Sequence, residues 1–361
     1  MIIGVPKEIK NNEFRVGLTP DSVKKLTNLN HQVFVEESAG KSIGFLDSDY
    51  ASNGAQILKS PKEIFDSSEL IIKVKEPLPS EFKYLSSKNI LFTYLHLAGN
   101  IKQSLDLVDT GVTGIAYETV TDDDGSLPLL SPMSSIAGQL SIIVGSYFLL
   151  KHNQGKGTLI GSVSDLEPRI VTVIGAGVAG TKAVSKALAN EAHVKIIELS
   201  EEKLKDLKNK FGNKNIEYIK STESNIKDAL KVSDIVVGAV YVVGKKAPKV
   251  VSRKMITSMK PGSVLVDVSI DQGGCFETSK ITTHDNPIFI VDDVVHYCVA
   301  NMPGSVPLTA TEALNKATIP YILDIANKGI DKAIKDDKNL LNGLNIQNKD
   351  IVHPSVKEAF A

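Results

Sequence analysis

The chain has only two cysteines in 361 residues, Cys275 and Cys298, and they form no C-x-x-C pair. That is too few for a disulfide framework or a cysteine zinc site, and it fits a reducing, cytoplasmic setting. An excess of one charge is also missing, since 41 basic residues face 42 acidic ones for a formal net charge of -1. Such a balance offers no broad positive field to a phosphate backbone, so nucleic acid is not expected as a partner. Long apolar runs are lacking as well. The greasiest stretch, 136–150, is interrupted by Gln139, Ser141 and Ser146. It falls short of the roughly 20 residues that span a bilayer, which predicts a buried helix and no membrane partner. The opening residues M-I-I-G-V-P-K-E meet a proline and charges at once, unlike a secretory or transit peptide.

What is present is enough apolar residue, 42% of the chain, to fill two domain cores. Strand-like runs at 2–5, 32–35, 70–74, 90–94 and 114–116 alternate with helical patterns, the mark of a parallel sheet. Thr19, Pro20 and Asp21 announce the first helix as cap, N1 proline and early acid, with Val23 and Leu26 on its apolar face. A turn-rich patch, Asp122 to Gly125, precedes a long helical pattern at 134–151, and a loop rich in glycine and serine follows at 155–168. Beyond it come a charged helical pattern at 201–211 and strands at 234–240, 264–268 and 288–291. A second long helical pattern at 303–328, with Pro320 as an expected kink, returns the chain to the first domain.

The stretch from Val171 to Leu199 reads as strand, glycine turn, helix and second strand. Gly175 suits the tight turn, Gly177 lets backbone amides approach a pyrophosphate, and Gly180 permits close helix packing. The second strand, 194–197, ends at Glu198, whose carboxylate can accept hydrogen bonds from ribose hydroxyls and so favours NAD over NADP. The expected fold is α/β, with two doubly wound Rossmann-like domains linked by two long helices and a cleft between them. Residues 1–128 plus 308–361 are assigned to a substrate domain and 129–307 to an NAD-binding domain.

Polar residues at strand ends are the candidates for chemistry, because open α/β sheets bind ligands there. Arg15 has the fork geometry for a carboxylate, yet by position alone it is equally a surface arginine. Lys75, before Glu76-Pro77, could polarise a carbonyl, and Lys73 on the same strand face competes with it. His96 ends its strand with a group suited to passing protons near neutral pH, or is simply structural. Asp271, in S-I-D-Q-G-G-C, could orient water or ribose or cap a turn. Asn301 could offer its amide to the cofactor or cap the return helix. Cys298 reads as a small core residue.

Seven motifs then occur in one order: K-N-N-E-F-R-V at 10–16, K-V-K-E-P at 73–77, F-T-Y-L-H-L-A at 92–98, L-L-S-P-M-S at 129–134, I-G-A-G-V-A-G at 174–180, V-D-V-S-I-D-Q-G-G-C-F-E at 266–277 and Y-C-V-A-N-M-P at 297–303. With them the chain resembles the L-alanine dehydrogenases, within the alanine dehydrogenase and transhydrogenase alpha-subunit family, from Met1 to about Lys328. The resemblance implies reversible oxidative deamination of L-alanine by NAD to pyruvate and ammonium, in a cytoplasmic homohexamer. It implies that Arg15 and Lys75 hold the substrate, that His96 is acid and base, and that Asp271 completes the catalytic pair. For NAD it implies Ser134, Gly175, Gly177, Val178, Ala179, Gly180, Glu198, Lys203, Ser221, Val240, Tyr241, Val268, Ser269, Ile270, Asp271, Lys280, Val299, Ala300, Asn301 and Met302.

Three departures from the family pattern stand out. Glu198 replaces the usual aspartate, which alters the hydrogen-bond geometry while keeping the charge that rejects a 2'-phosphate. A-V-Y-V-V-G at 239–244 puts Tyr241 and Val243 where smaller or more rigid residues are common, beside the expected nicotinamide. The loop 161–168 and the tail beyond Lys328 match loosely. A related NAD-dependent amino-acid dehydrogenase such as a saccharopine-forming one, a transhydrogenase-like domain, or a non-catalytic NAD-binding protein would share the plan. His96 and the lack of a spanning segment weigh against the transhydrogenase. The joint presence of Arg15, Lys75, His96 and Asp271 weighs against the non-catalytic protein.

Overall fold

The computed structural model describes residues 1–242 and 246–360. It divides into two compact units, one of Met1–Met133 with the chain from Gly304 onward, the other of Ser134–Pro303. The first unit is built on six parallel strands: β1 (Ile2–Val5), β2 (Gln32–Glu36), β3 (Gln56–Leu58), β4 (Leu70–Ile72), β5 (Ile90–Thr93) and β6 (Thr113–Ala116). Their order across the sheet is β6-β5-β4-β1-β2-β3, so the direction of winding reverses between β1 and β4. Two late strands, Leu344–Gln347 and Asp350–Ile351, extend the sheet antiparallel beyond β6.

The second unit repeats the plan with β7 (Ile170–Ile174), β8 (His193–Glu198), β9 (Ile216–Lys220), β10 (Ile235–Gly238), β11 (Val264–Asp267), β12 (Ile288–Val291) and β13 (Val294–Tyr297). The order is β12-β13-β11-β10-β7-β8-β9, with only β12 antiparallel, and the reversal falls between β7 and β10. Crevices at such reversals, outside the carboxyl ends of the strands, are where doubly wound sheets bind ligands. Strands β4, β10 and β11 are buried along their whole length, which is why they read in the sequence as unbroken apolar runs.

Local chemistry sets the boundaries. Thr19 accepts the Ser22 N–H at 3.2 Å, Pro20 occupies the first helical turn, and Val23 and Leu26 are fully buried in the helix Pro20–Thr27. Pro320 sits within the helix Pro307–Lys328 without ending it. The helix Ser131–Phe148 corrects the expectation of a buried helix. Gln139, Ile143 and Tyr147 recur every four residues along an exposed stripe, and Ile143 and Tyr147 keep 50% and 53% of their surface. Its opposite side approaches the next helix closely: a Cβ on Gly138 would lie 2.1 Å from the Ala179 carbonyl oxygen. Strands β3 and β9 and the late antiparallel pair carry no clear sequence signal. β3 has three residues, and β9 mixes lysine and glutamate into its alternation because it is a sheet edge. No helix among the described residues is long and apolar enough to cross a membrane, and no cluster among them could hold a metal ion.

Strand β4 stops at Ile72, so Lys73 and Lys75 belong to the loop beyond it. The Lys73 ammonium lies 3.1 Å from Glu8 and 3.0 Å from Glu81, with all three side chains sealed from solvent. Burial disfavours the cation, but the two carboxylates overcome this and raise the Lys73 pKa. Replacing Lys73 with methionine strands two buried carboxylates, and urea unfolding should show a loss of about 3–5 kcal/mol. A loss under about 1 kcal/mol would contradict the triad's part in stability.

Candidate functional site

In the first unit four neighbouring strands, β1, β4, β5 and β6, each lead at their carboxyl ends into a loop with charged residues. Arg15 follows β1. It is 2% exposed, which overturns the surface-arginine reading. Glu13 takes hydrogen bonds from its Nε at 2.7 Å and Nη2 at 2.6 Å, and Nη1 reaches the Met133 sulfur at 3.2 Å. Burial lowers the guanidinium pKa, but the Glu13 hydrogen bond and charge more than reverse this. One edge of the fork is therefore already spent on Glu13, and the fork is held in a single orientation.

Lys75 follows β4 and is 6% exposed. Its backbone N–H and that of Val74 donate to Glu8 Oε1 at 3.2 and 2.6 Å, while among the described residues its ammonium has no hydrogen-bonding partner. Lys73, the competitor, is consumed by the Glu8–Glu81 pair. The next residue, Glu76, pairs with Lys10 at 2.5 Å. Burial would raise the Glu76 pKa, but Lys75, His96 and Lys10 together hold it below the usual carboxylate range.

His96 follows β5 with φ 47° and ψ 39°, the left-handed region. Its ring stacks on Tyr94, with centroids 5.8 Å apart and planes within 9°. Tyr94 is itself anchored by donating to the Leu129 carbonyl at 2.6 Å. Glu118, two residues past β6, accepts the His96 N–H at 2.6 Å and the Leu95 N–H at 3.1 Å.

In the second unit the glycine turn follows β7. Gly175 has φ +100°, and a Cβ on Gly180 would fall 1.8 Å from the Gly175 carbonyl oxygen. Gly177 precedes the helix Val178–Ala189 with open space where a Cβ would stand. Open space before the amides of a helix N-terminus fits the diphosphate of a dinucleotide. Val178, 43% exposed, and Ala179 lie in that first helical turn. Ser134 lies in the first turn of the helix Ser131–Phe148, one turn before the Gly138 contact with Ala179.

Glu198 ends β8, and its length lets it reach back to the glycine turn. Oε2 accepts the Ala176 N–H at 2.7 Å and Oε1 the Ser200 N–H at 3.0 Å. A carboxylate has about four acceptor sites, so each oxygen keeps capacity for a ribose hydroxyl. Ser221 follows β9 and donates its N–H to the Glu198 carbonyl at 2.9 Å. Lys203 stands exposed in the first turn of the helix Glu201–Phe211.

Val240 and Tyr241 follow β10, with Tyr241 43% exposed; Val243 lies outside the described residues. Val268, Ser269, Ile270 and Asp271 follow β11, and the Ser269 hydroxyl ties this loop to the Val240 carbonyl at 2.7 Å. Asp271 is exposed and accepts the Asn301 N–H at 3.3 Å, linking it to Val299, Ala300, Asn301 and Met302 beyond β13. Lys280 has its ammonium 4.4 Å from the ring centroid of Phe289 on the edge strand β12, and it lies two residues before Thr282, which bridges to Val299.

Several supporting residues escape a search for reactive groups. Asp267, fully buried at the end of β11, accepts the N–H groups of Ser269 at 3.0 Å and Cys275 at 2.9 Å and the Ser279 hydroxyl at 2.5 Å. Burial raises its pKa against these donors, and it staples the loop that carries Asp271. Glu8, Glu13 and Glu118 play the same part in the first unit. Their signal was available: each is an acid shortly after a buried apolar strand. Cys275 and Cys298 are fully buried, and burial pushes the Cys298 thiol up to about 12, so both are unreactive core residues.

Comparison with known proteins places the chain in a family. Residues 4–137 match the family model "Alanine dehydrogenase/PNT, N-terminal domain" and residues 141–354 match "Alanine dehydrogenase/PNT, C-terminal domain". The alanine dehydrogenase of Staphylococcus haemolyticus is 50% identical over 361 residues, covering 100% of this chain and 96% of its own. That of Methanococcus maripaludis is 49% identical over 360 residues, covering 99% and 96%. A solved L-alanine dehydrogenase superposes with a TM-score of 0.94 at 47% identity, over 100% of this chain and 99% of that one. A transhydrogenase from Sinorhizobium meliloti shares the fold, with a TM-score of 0.84 at 23% identity, over 98% of this chain and 100% of that one. The chain belongs to the alanine dehydrogenase/PNT family.

Proposed function

We propose that this protein catalyses the reversible, NAD-dependent oxidative deamination of L-alanine to pyruvate and ammonium. The observation that carries the reading is the set Arg15, Lys75 and His96: two buried cations on either side of the winding reversal of the first sheet, with an imidazole on the next strand. The names of the relatives support alanine as the substrate. NAD would be held by the glycine turn, Glu198 and the loops beyond β10, β11 and β13, and would supply the hydride acceptor for alanine oxidation and, reduced, the hydride donor for the reverse reaction.

The chain's own residues do the rest. The Arg15 guanidinium, oriented by Glu13, grips the substrate carboxylate, and Lys75 draws electron density from the carbonyl oxygen in the direction of amination. Fixing the substrate in this way removes orientational freedom before reaction, which can supply several kcal/mol of barrier lowering. His96 takes a proton from the water that adds to the imine carbon and gives it back as ammonia departs. Asp271 orients that water or the imidazole. The Glu198 charge disfavours a 2'-phosphate and so NADP. A cytoplasmic homohexamer accompanies the reading, as the resemblance implies.

NADH absorbance followed with pyruvate plus ammonium, and in reverse with NAD plus L-alanine, should show turnover both ways, and no turnover in either would refute the proposal. In the same assay His96→Ala should lose about 10²- to 10⁴-fold in kcat with NADH affinity nearly unchanged. Near-normal turnover in that variant would remove His96 from the chemistry. Gly180→Ala must push the helix away from the Gly175 carbonyl, and NADH fluorescence titration should show at least about tenfold weaker binding. Unaltered NADH affinity would place the diphosphate elsewhere.

A further inference from the structure

We propose that Glu118 is a positioning residue for His96, holding the histidine's backbone in the left-handed region so that the imidazole points in one direction. The idea rests on the reading of His96 as acid and base. Four observations in the first unit converge on it. His96 is not glycine, yet it adopts φ 47° and ψ 39°, a conformation that an L side chain resists and that surrounding contacts must enforce. The Glu118 carboxylate supplies such a contact: Oε1 accepts the His96 N–H at 2.6 Å and the Leu95 N–H at 3.1 Å, and Oε2 lies 3.2 Å from the same Leu95 nitrogen.

The same Oε1 stands 3.8 Å from His96 Nδ1, beyond hydrogen-bonding range, so the carboxylate acts on the backbone and not directly on the ring. The ring is steered by Tyr94, on which it stacks, and Tyr94 is boxed in by an edge contact to Tyr117 with centroids 5.1 Å apart. Tyr117 and Glu118 are neighbours in the short turn Tyr117–Thr119 after β6. One turn thus sets both constraints on His96, its backbone through Glu118 and its ring through Tyr94. Glu118 keeps 13% of its side-chain surface while the His96 side chain keeps 39%, as expected of a support beneath an accessible group.

A residue that acts only through His96 has a kinetic signature that a merely stabilising one lacks. Glu118→Ala should lower kcat about 100-fold, the cost of an ångström-scale misplacement, with pyruvate KM and NADH affinity changed less than about threefold. Glu118→Gln keeps an acceptor oxygen at full reach and should recover kcat to within about fivefold of the parent. Glu118→Asp keeps the charge but loses the reach and should resemble the alanine variant, which preserves the test if Glu118→Ala fails to fold. In a His96→Ala background, Glu118→Gln and Glu118→Asp should cost nothing further, because there is no imidazole left to aim. An undiminished kcat in Glu118→Ala or Glu118→Asp would overturn the proposal, as would an additional loss in the double variants. Near-normal turnover in His96→Ala alone would instead defeat the reading of His96 on which the proposal rests.

Discussion

Carboxylates set beneath the strand-end loops, most of them buried, are the constraint on which the rest of the first unit depends. A loop that turns back over a sheet edge leaves backbone N–H groups without partners, each costing about 1–3 kcal/mol if buried unsatisfied. A carboxylate taken out of water is costlier still unless it is fully hydrogen-bonded or paired. Here each problem answers the other. Glu8 takes the amides of Val74 and Lys75 along with the Lys73 ammonium, Glu13 takes the Arg15 fork, and Glu118 takes the amides of Leu95 and His96. Asp267 does the same for the loop carrying Asp271 in the second unit.

The consequence for chemistry is preorganisation. A guanidinium free to rotate, or an imidazole on a mobile loop, must be ordered at the moment of reaction, and the barrier rises by that ordering. Arg15 is ordered beforehand because Glu13 binds one edge of its fork. Lys75 has its backbone fixed while its ammonium stays uncommitted among the described residues. Of the two lysines, Lys73 is the one committed to holding the loop together.

Much of this was legible in the sequence. Both doubly wound sheets follow from alternating apolar runs, the first helix from Thr19 and Pro20, and the glycine turn from its three glycines and their flanking strand and helix. Strand-end position picked out Arg15, Lys75, His96 and Asp271. What stayed hidden depends on contacts distant along the chain. The choice between Lys73 and Lys75 turns on Glu8 and Glu81, 65 and 8 residues from Lys73. Whether Arg15 is exposed depends on how the loop folds over the sheet edge. Glu198 was legible as the acid that ends the second strand, but its bond to the Ala176 amide required knowing how far its extra methylene reaches. The exposed stripe of Gln139, Ile143 and Tyr147 hid behind high average hydropathy, since an apolar helix shows which side is covered only once its neighbours are in place.

The central claim is that a substrate carboxylate is gripped by a guanidinium fork already oriented by Glu13. Arg15→Lys tests it most directly, because it keeps the charge and removes the fork, and a lysine cannot span Glu13 in two places while also offering a donor pair to the substrate. Steady-state kinetics in the direction of pyruvate amination should show pyruvate KM raised by at least about tenfold, with NADH affinity unchanged. Pyruvate saturation equal to that of the parent protein would contradict it.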